Sequence, residues 1–147
     1  MAMFVSASLS SGMAAMKYEE IEIGQFGEVT KSFTERDVEA FAELSLDTNP
    51  IHLDEAYAAT TIFKKRIVHG MLSSSLISAA LATKCPGAGS IYLGQELSFQ
   101  KPVYIGDTLT ARVEVIEKRP KRVVVLSTTV TNQNGDTVIT GKAILKK

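Results

Sequence analysis

From Gly89 onward the chain follows a pattern of apolar and polar residues that is typical of β-strands. Four segments rich in Val, Ile, Thr and aromatic residues are separated by short turns, and runs of this composition between turn residues predict strands. Asn134-Gly135-Asp136 is a strong hairpin signal between the last two segments. We predict strands at residues 90–99, 107–118, 122–132 and 137–146.

A helix-length stretch with almost no charge precedes these strands. Residues 68–84, VHGMLSSSLISAALATK, are apolar or small and polar at nearly every position between His69 and Lys84. A helix that is apolar on nearly all faces is buried, and Pro86-Gly87 ends the pattern. The stretch therefore predicts a long helix along the centre of the domain.

The first part of the chain combines extended segments with short helices. Residues 17–33 are predicted to be extended, with a strand from Phe26 to Phe33. Thr34 can cap a helix whose apolar residues recur at helical spacing and which stops before Asp47. A further short helix is predicted at residues 54–58.

The order of these elements indicates the fold class. One strand, several helices and then four strands without an intervening helix are typical of an α+β protein. Because no helix interrupts the last four strands, we expect consecutive strands to pair antiparallel. We predict an antiparallel sheet wrapped around the long central helix, in a single domain at residues 17–147, preceded by a disordered tail at residues 1–16.

The composition restricts the classes of function. Lys and Arg together number 16, as do Asp and Glu, so the formal net charge is zero, which argues against nucleic-acid binding. No apolar run reaches the roughly 18–20 residues that span a bilayer, so we expect no membrane partner. We expect a cytoplasmic protein; the mitochondrial matrix is the alternative, although no clear transit peptide is present.

Two short basic runs, Lys64-Lys65-Arg66 and residues 118–122, leave two interpretations open. Either run is a solvated turn, or it is an electrostatic contact for an anionic ligand such as a nucleotide phosphate.

The chain offers few groups for redox or metal chemistry. Cys85 is the single cysteine, so no disulfide can form within the chain, and a reducing compartment fits best. It has no local activating group, and we predict a structural thiol. Two histidines make a histidine-rich metal site improbable, and dinucleotide and phosphate-loop motifs are absent. We therefore expect neither a metal nor a cofactor.

The candidate chemistry is concentrated in DTNPIHL at residues 47–53 and VHGM at residues 68–71. Asp47 and His52 flank an Asn49-Pro50 step, where proline removes a backbone donor and disfavours α conformation in the preceding residue. We predict that both side chains lie on a rigid irregular loop and converge on one small molecule. The spacing alone leaves open that Asp47 caps a turn and His52 packs.

The two motifs together resemble the signature of the MaoC-like family of (R)-specific enoyl-CoA hydratases and 3-hydroxyacyl-thioester dehydratases. The likeness extends through residues 89–95, 97–99 and 102–107 and covers roughly residues 19–147. It implies the hot-dog fold, in which an antiparallel sheet wraps a long central helix. It also implies a homodimer with its active-site tunnel near the subunit boundary, and an acyl-CoA or acyl-carrier-protein thioester as substrate.

The resemblance also implies roles for individual residues. Asp47 and His52 would hold one water for addition to a trans-2-enoyl thioester, giving the (R)-3-hydroxyacyl product, or for the reverse dehydration. The backbone N–H of Gly70 would hold the thioester oxygen, and a helix start favours negative charge there. Ser78 matches a serine that helps to hold the catalytic region, although a small residue that eases packing fits equally.

Several neighbouring residues are expected to support the site. Asn49 and Pro50 are expected to shape the loop rather than to take part in the chemistry. His69 stands beside Gly70, but we expect a structural, hydrogen-bonded histidine. Leu81 is a candidate for limiting the depth of the acyl chain, although core packing would demand the same residue type.

Two other functions are compatible with this fold. A hot-dog acyl-CoA thioesterase would hydrolyse the thioester with a carboxylate-activated water. His52 argues against it, because addition across an alkene needs a second group that handles a proton. A non-catalytic acyl-thioester-binding subunit would have disrupted motif residues, and none is disrupted here. The motifs leave open the chain length, the carrier, the direction of the reaction and which of Asp47 and His52 is the acid or the base.

Overall fold

The centre of the molecule is a five-stranded antiparallel sheet with the strand order β1-β3-β4-β5-β2. A computed structural model describes residues 16–147. The predicted tail lies outside these described residues except for Met16, which packs against the core. The strands are β1 Phe26–Ser32, β2 Ile91–Phe99, β3 Thr108–Arg119, β4 Val123–Thr131 and β5 Thr137–Lys146.

Four helices lie between β1 and β2, and their ends follow from local capping. Thr34 begins the first helix as predicted: its hydroxyl accepts the N–H of Asp37 at 3.1 Å, and the Asp37 carboxylate accepts the N–H of Thr34 at 2.9 Å. A 3₁₀ turn at Tyr18–Glu20 interrupts the segment that was predicted to be extended. The helices are α1 Glu35–Ser45, α2 Pro50–Leu53, α3 Glu55–Ala59 and α4 Gly70–Thr83.

The sheet differs from the predicted pairing at one strand. β3, β4 and β5 pair consecutively, as expected, but β2 pairs with β5 instead of β3. The connection after β2 cannot serve as a hairpin turn because it is tied to the segment before α4. The N–H of Val68 donates to the carbonyl of Val103 at 2.7 Å, and Ile67 forms an isolated bridge with Tyr104. The expectation that all consecutive strands pair was therefore wrong for β2 and β3.

Helix α4 packs against the sheet and forms the core with it. The prediction of a long central helix is confirmed, with its first residue at Gly70. Burial of a large aliphatic side chain contributes about 1.5–3 kcal/mol, so this interface dominates the stability of the fold. The core side chains of α4 are Leu72, Leu76, Ile77, Ala80 and Leu81.

One stripe of α4 is not covered by any other part of residues 16–147. Met71, Ser75, Ser78 and Ala82 lie along it and are exposed, Met71 by 59%. The expectation that the helix is buried on nearly all faces was wrong for this stripe. None of the helices within residues 16–147 has both the length and the apolar character needed to cross a bilayer.

Candidate active site

His52 lies on α2, a single helical turn that the sequence pattern did not predict. Asn49 caps this turn, because its Oδ1 accepts the N–H of Ile51 at 3.2 Å, and Pro50 occupies the first position. Proline is well tolerated there because its missing N–H would have no partner within the helix. The prediction of an irregular loop was therefore wrong between Pro50 and Leu53. The Asn-Pro step begins a helix rather than preventing one.

Asp47 lies in the short link between α1 and α2. Leu46 ends α1 in the left-handed conformation, with a φ of 68°, and this reverses the chain direction directly before the carboxylate. The Oδ1 atom of Asp47 accepts the N–H of Asn49 at 3.3 Å, and its backbone N–H donates to the Ser45 hydroxyl at 3.1 Å. The carboxylate is thus oriented by its own backbone neighbourhood while the residue stays exposed.

The ring of His52 is buried, with 8% of the residue exposed, and its tautomer is fixed. Nδ1 lies 2.8 Å from the carbonyl oxygen of Ile67. A carbonyl only accepts, so Nδ1 carries a proton and donates it, and the neutral ring has its lone pair on Nε2. Burial lowers the pKa of His52 below its ordinary value; the bond to Ile67 opposes this, His69 adds to the lowering, and Asp47 opposes it. The imidazole is therefore neutral near pH 7.

His69 contacts both Asp47 and His52. Its ring is fully buried and stacks on the His52 ring with centroids 3.8 Å apart, while the edge of Phe41 contacts it at a centroid distance of 4.8 Å. Nε2 donates to the backbone carbonyl of Asp47 at 3.0 Å. The hydrogen bond expected for a structural histidine is present.

Asp47, His52 and His69 come together closely enough to raise the question of a metal. One ligand atom from each lies within 4.8 Å of the others. His52 already uses Nδ1, and His69 uses Nε2. The carboxylate and Nε2 of His52 then remain for a small ligand, while Nδ1 of His69 is buried without a hydrogen-bond partner among residues 16–147. Two such acceptors suit a water molecule.

A cavity of about 500 Å³ adjoins this cluster, with Asp47 and Gly70 in its wall. Gly70 is the first residue of α4, and the first N–H groups of a helix have no partner inside it. A Cβ at Gly70 would lie 2.7 Å from the Phe99 ring, so the close approach of that ring requires glycine. Most of the wall is apolar, with Phe63, Val68, Met71, Phe99 and Ile139.

Three other residues from the sequence analysis lie elsewhere. Ser78 is exposed on α4 and lines a second cavity of about 480 Å³ with Tyr92 and Leu97. Leu81 is fully buried in the core and lines neither of these cavities. Burial raises the pKa of the Cys85 thiol to about 11, which agrees with a structural thiol. Within one chain, the structure brings Gly70, but not Ser78 or Leu81, to the cavity of Asp47.

Arg66 was missed by the sequence analysis. The run Lys64-Lys65-Arg66 was interpreted as a solvated turn or as a contact for an anionic ligand, and neither interpretation predicts that only 8% of Arg66 is exposed. Its Nε–H donates to the carbonyl of His52 at 2.8 Å, and its Nη1 donates to Glu35 at 2.7 Å. An arginine in a basic run gives no sign of burial. The apolar pair Ile67-Val68 directly after Arg66 is the signal that could have indicated its burial.

Comparison with known proteins places this geometry in a family. A model of the MaoC-like domain matches residues 4–136. The chain is 49% identical over 132 residues to the (R)-specific enoyl-CoA hydratase of Aeromonas caviae, across 89% of this chain and 98% of that protein. It is 39% identical over 134 residues to the 3-hydroxybutyryl-CoA dehydratase of Methylorubrum extorquens, across 91% of this chain and 85% of that protein.

Solved structures agree with the sequence matches. The (R)-hydratase from A. caviae superimposes with a TM-score of 0.85 at 50% identity, over 87% of this chain and 98% of that chain. The R-hydratase PhaJ1 from Pseudomonas aeruginosa superimposes with a TM-score of 0.84 at 55% identity, over 88% and 84% of the two chains. The predicted hot-dog fold is confirmed, and the chain belongs to the MaoC-like family.

Proposed function

We propose that this protein catalyses the (R)-specific hydration of trans-2-enoyl-CoA to (R)-3-hydroxyacyl-CoA, and the reverse dehydration. The observation that carries the proposal is the Asp47 carboxylate beside the neutral, tautomer-fixed imidazole of His52, next to a cavity that also contains the start of α4. Relatives that are 49% and 48% identical are named (R)-specific enoyl-CoA hydratases, which supports this choice of reaction.

Asp47 and His52 hold the water that reacts, and His52 transfers the proton. A water held between the Asp47 carboxylate and Nε2 of His52 adds its oxygen to Cβ of the substrate while Nε2 accepts one of its protons. The resulting imidazolium returns a proton to Cα, so His52 ends in its starting neutral state. Positioned groups of this kind contribute about 10²–10⁴-fold in rate. The lowered pKa of His52 keeps Nε2 available as the acceptor at neutral pH.

The start of α4 stabilises the charge that develops on the thioester oxygen. The N–H of Gly70 is in the first turn of α4 and has no partner inside the helix, so it can donate to this oxygen, and the helix dipole favours negative charge at the same point. The apolar walls of the cavity receive the carbon chain next to the thioester. Asn49 and Pro50 have a supporting role in this proposal, because they cap and begin the turn that carries His52.

Two roles remain predictions: Ser78 as a residue that helps to hold the catalytic region, and Leu81 as a limit on the depth of the acyl chain. Ser78 lies on the exposed stripe of α4 and lines the second cavity. In the proposed homodimer it would therefore contact the partner subunit and not Asp47 of its own chain. Leu81 packs in the core, so it would act on chain length only through the side chains it supports.

The protein is proposed to act as a homodimer, each subunit a single domain at residues 17–147. Strand β2 lies at an edge of the sheet and exposes three consecutive large apolar residues, Ile91, Tyr92 and Leu93. The exposed stripe of α4 and β2 together line the second cavity. An unpaired strand edge beside an exposed apolar patch favours pairing with another chain. A cytoplasmic location stays a prediction from the sequence.

An assay with crotonyl-CoA tests the reaction. Hydration removes the conjugated enoyl absorbance, and chiral analysis of the product gives the (R)-3-hydroxy isomer. Asp47→Asn and His52→Gln each lower kcat by about 10²–10⁴-fold while the protein stays folded. Glu43→Gln, an exposed change on α1, serves as the matched control and leaves kcat unchanged.

The same assay separates the alternatives. Release of free CoA without a hydroxyacyl product identifies a thioesterase. Binding of crotonyl-CoA without any turnover identifies a non-catalytic acyl-thioester-binding subunit. Nearly full activity in Asp47→Asn or His52→Gln would show that the pair is not the catalytic one.

A further inference from the structure

We propose that Arg66 is a positioning residue for His52: its buried guanidinium caps the one-turn helix α2 and so holds the imidazole in the orientation and tautomer that the reaction uses. This proposal rests on the proposed function only in that His52 is taken as the catalytic imidazole. The hydrogen bonds of Arg66 go to the carbonyl of His52 and to Glu35, so in this proposal it acts through His52 and not on the substrate.

Helix α2 is too short to be stable by itself. It contains four residues, Pro50–Leu53, and helices of this length are far below the roughly 12–15 residues at which isolated helices become marginally stable. Its first turn is capped from within by Asn49. The carbonyls of its last turn have no partner inside the helix, so a group from elsewhere in the chain has to supply one.

Arg66 and Ile67 provide hydrogen-bond partners for three groups of this turn. The Nε–H of Arg66 donates to the carbonyl of His52 at 2.8 Å. The N–H of Ile67 donates to the carbonyl of Ile51 at 3.3 Å, and the carbonyl of Ile67 accepts the Nδ1–H of His52 at 2.8 Å. The backbone and the ring of His52 are therefore held by two consecutive residues. A displacement of Arg66 also displaces the carbonyl that sets the tautomer.

The other side of the guanidinium is fixed to α1. Nη1 donates to the carboxylate of Glu35, the first residue of α1, at 2.7 Å. The guanidinium is planar, so the angle between its Nε and Nη donors is fixed and it can bridge the two groups at a set distance. A lysine, with one charged nitrogen on a flexible stem, can reach one of these partners but cannot bridge both in the same way.

The burial of Arg66 indicates a role other than stability. Glu35 is 63% exposed, whereas Arg66 is 8% exposed, and Nη2 of Arg66 is buried without a hydrogen-bond partner among residues 16–147. A buried cation with one exposed counter-charge is costly to desolvate and stabilises a fold poorly. Its position is explained by the carbonyl of His52 that it holds.

The test compares Arg66→Met and Arg66→Lys with Arg36→Met, an exposed arginine on α1 that makes no ion pair among the described residues. Steady-state hydration of crotonyl-CoA gives kcat and KM. Nitrogen-15 NMR of selectively labelled histidine reports the tautomers directly. Only two histidines are present, and their protons sit on different nitrogens, Nδ1 in His52 and Nε2 in His69.

In Arg66→Met, kcat falls about 10²-fold, the size expected when a catalytic group is displaced by about 1 Å, while KM changes little. The Nδ1–H signal of His52 weakens and its ring nitrogens shift towards a mixture of tautomers, whereas His69 keeps its single Nε2–H tautomer. Arg66→Lys recovers part of kcat and part of the His52 signal. Arg36→Met matches the unchanged protein in all of these quantities.

A folded Arg66→Met protein with unchanged kcat, or with unchanged His52 signals, overturns the proposal, and so does an equal change at both histidines. If Arg66→Met does not fold, Arg66→Lys decides by the same readouts: reduced kcat with altered His52 signals supports positioning, and unchanged values refute it. If the unchanged protein does not hydrate crotonyl-CoA, the proposed function fails, and the NMR comparison still tests whether Arg66 sets the tautomer of His52.

Discussion

The proposed chemistry depends on which nitrogen of His52 carries the proton. The carbonyl of Ile67 fixes that proton on Nδ1, and burial of the ring disfavours a second proton because it disfavours the charged form and so lowers the pKa of His52. The neighbourhood therefore keeps Nε2 of His52 unprotonated, and a measurable pH dependence follows.

The rate of hydration should stay constant through the ordinary pKa of histidine, about 6.5, and fall only at lower pH. Burial lowers the pKa of His52, so the neutral form that accepts a proton persists below that value. The measurement is kcat/KM for crotonyl-CoA between about pH 4.5 and 8. An acid limb centred above about 6.5 would contradict this assignment.

The lowered pKa of His52 also makes the free energy of unfolding depend on pH. The folded protein prefers neutral His52, so its contribution is fully present above the unfolded-state pKa of about 6.5 and is lost as the pH falls towards the lower folded-state pKa. Urea unfolding of the protein and of His52→Gln over this range isolates the contribution, because the variant lacks it.

Sequence reasoning predicted from the residue types and their spacing that Asp47 and His52 lie close together, which the structure shows, whereas the role of Gly70 came from the family resemblance and stays a prediction. It missed Arg66 because an arginine in a basic run has the same composition whether it lies in solvent or under a helix turn. Burial is decided by tertiary contacts, here with Glu35 and the carbonyl of His52.

Among the elements, the start of α4 has little room for a side chain. A Cβ at position 70 would lie 2.7 Å from the Phe99 ring, which real Cβ contacts essentially never show, so either the ring or the helix start must move. We expect Gly70→Ala to lower kcat/KM for crotonyl-CoA by about 10²-fold or more, as for loss of an oxyanion donor.

A second substitution provides the control for this prediction. Phe99→Leu removes the ring atoms that the new Cβ would contact, so Gly70→Ala/Phe99→Leu should recover part of the activity lost in Gly70→Ala. Steady-state kinetics of Gly70→Ala, Phe99→Leu and the double variant are compared at a temperature at which all three proteins are folded. Full activity in Gly70→Ala alone would show that the thioester oxygen does not depend on this position.

The elements that sequence reasoning predicted well are those with a long periodic pattern. The four late strands and α4 each extend over nine residues or more, enough for composition and turn residues to define them. Helix α2 is too short to show any period, and its start signal, Asn-Pro, also favours a turn. The pairing of β2 with β5 depends on the contact between residues 67–68 and 103–104, which is remote in sequence.

For the whole molecule, the proposed homodimer assigns the association of copies to the exposed edge at β2. We expect the protein to have twice the mass of one chain by light scattering. Leu93→Lys places a charge on this edge, where Leu93 is 54% exposed, and should produce a monomer with reduced activity. Ile116→Lys, on β3 and away from β2 in the strand order, is the matched control and should stay dimeric. A dimeric Leu93→Lys protein would place the interface elsewhere.

The state of Cys85 has a practical consequence for spectroscopy. It is the single thiol of the chain, it is fully buried beyond the end of α4, and its raised pKa of about 11 leaves almost no thiolate at neutral pH. Maleimide and nitroxide reagents attack accessible thiolates, so the native fold is inert towards them. A cysteine introduced on the surface would then carry the only probe, and distances or motions at the cavity mouth could be recorded without first removing a native thiol.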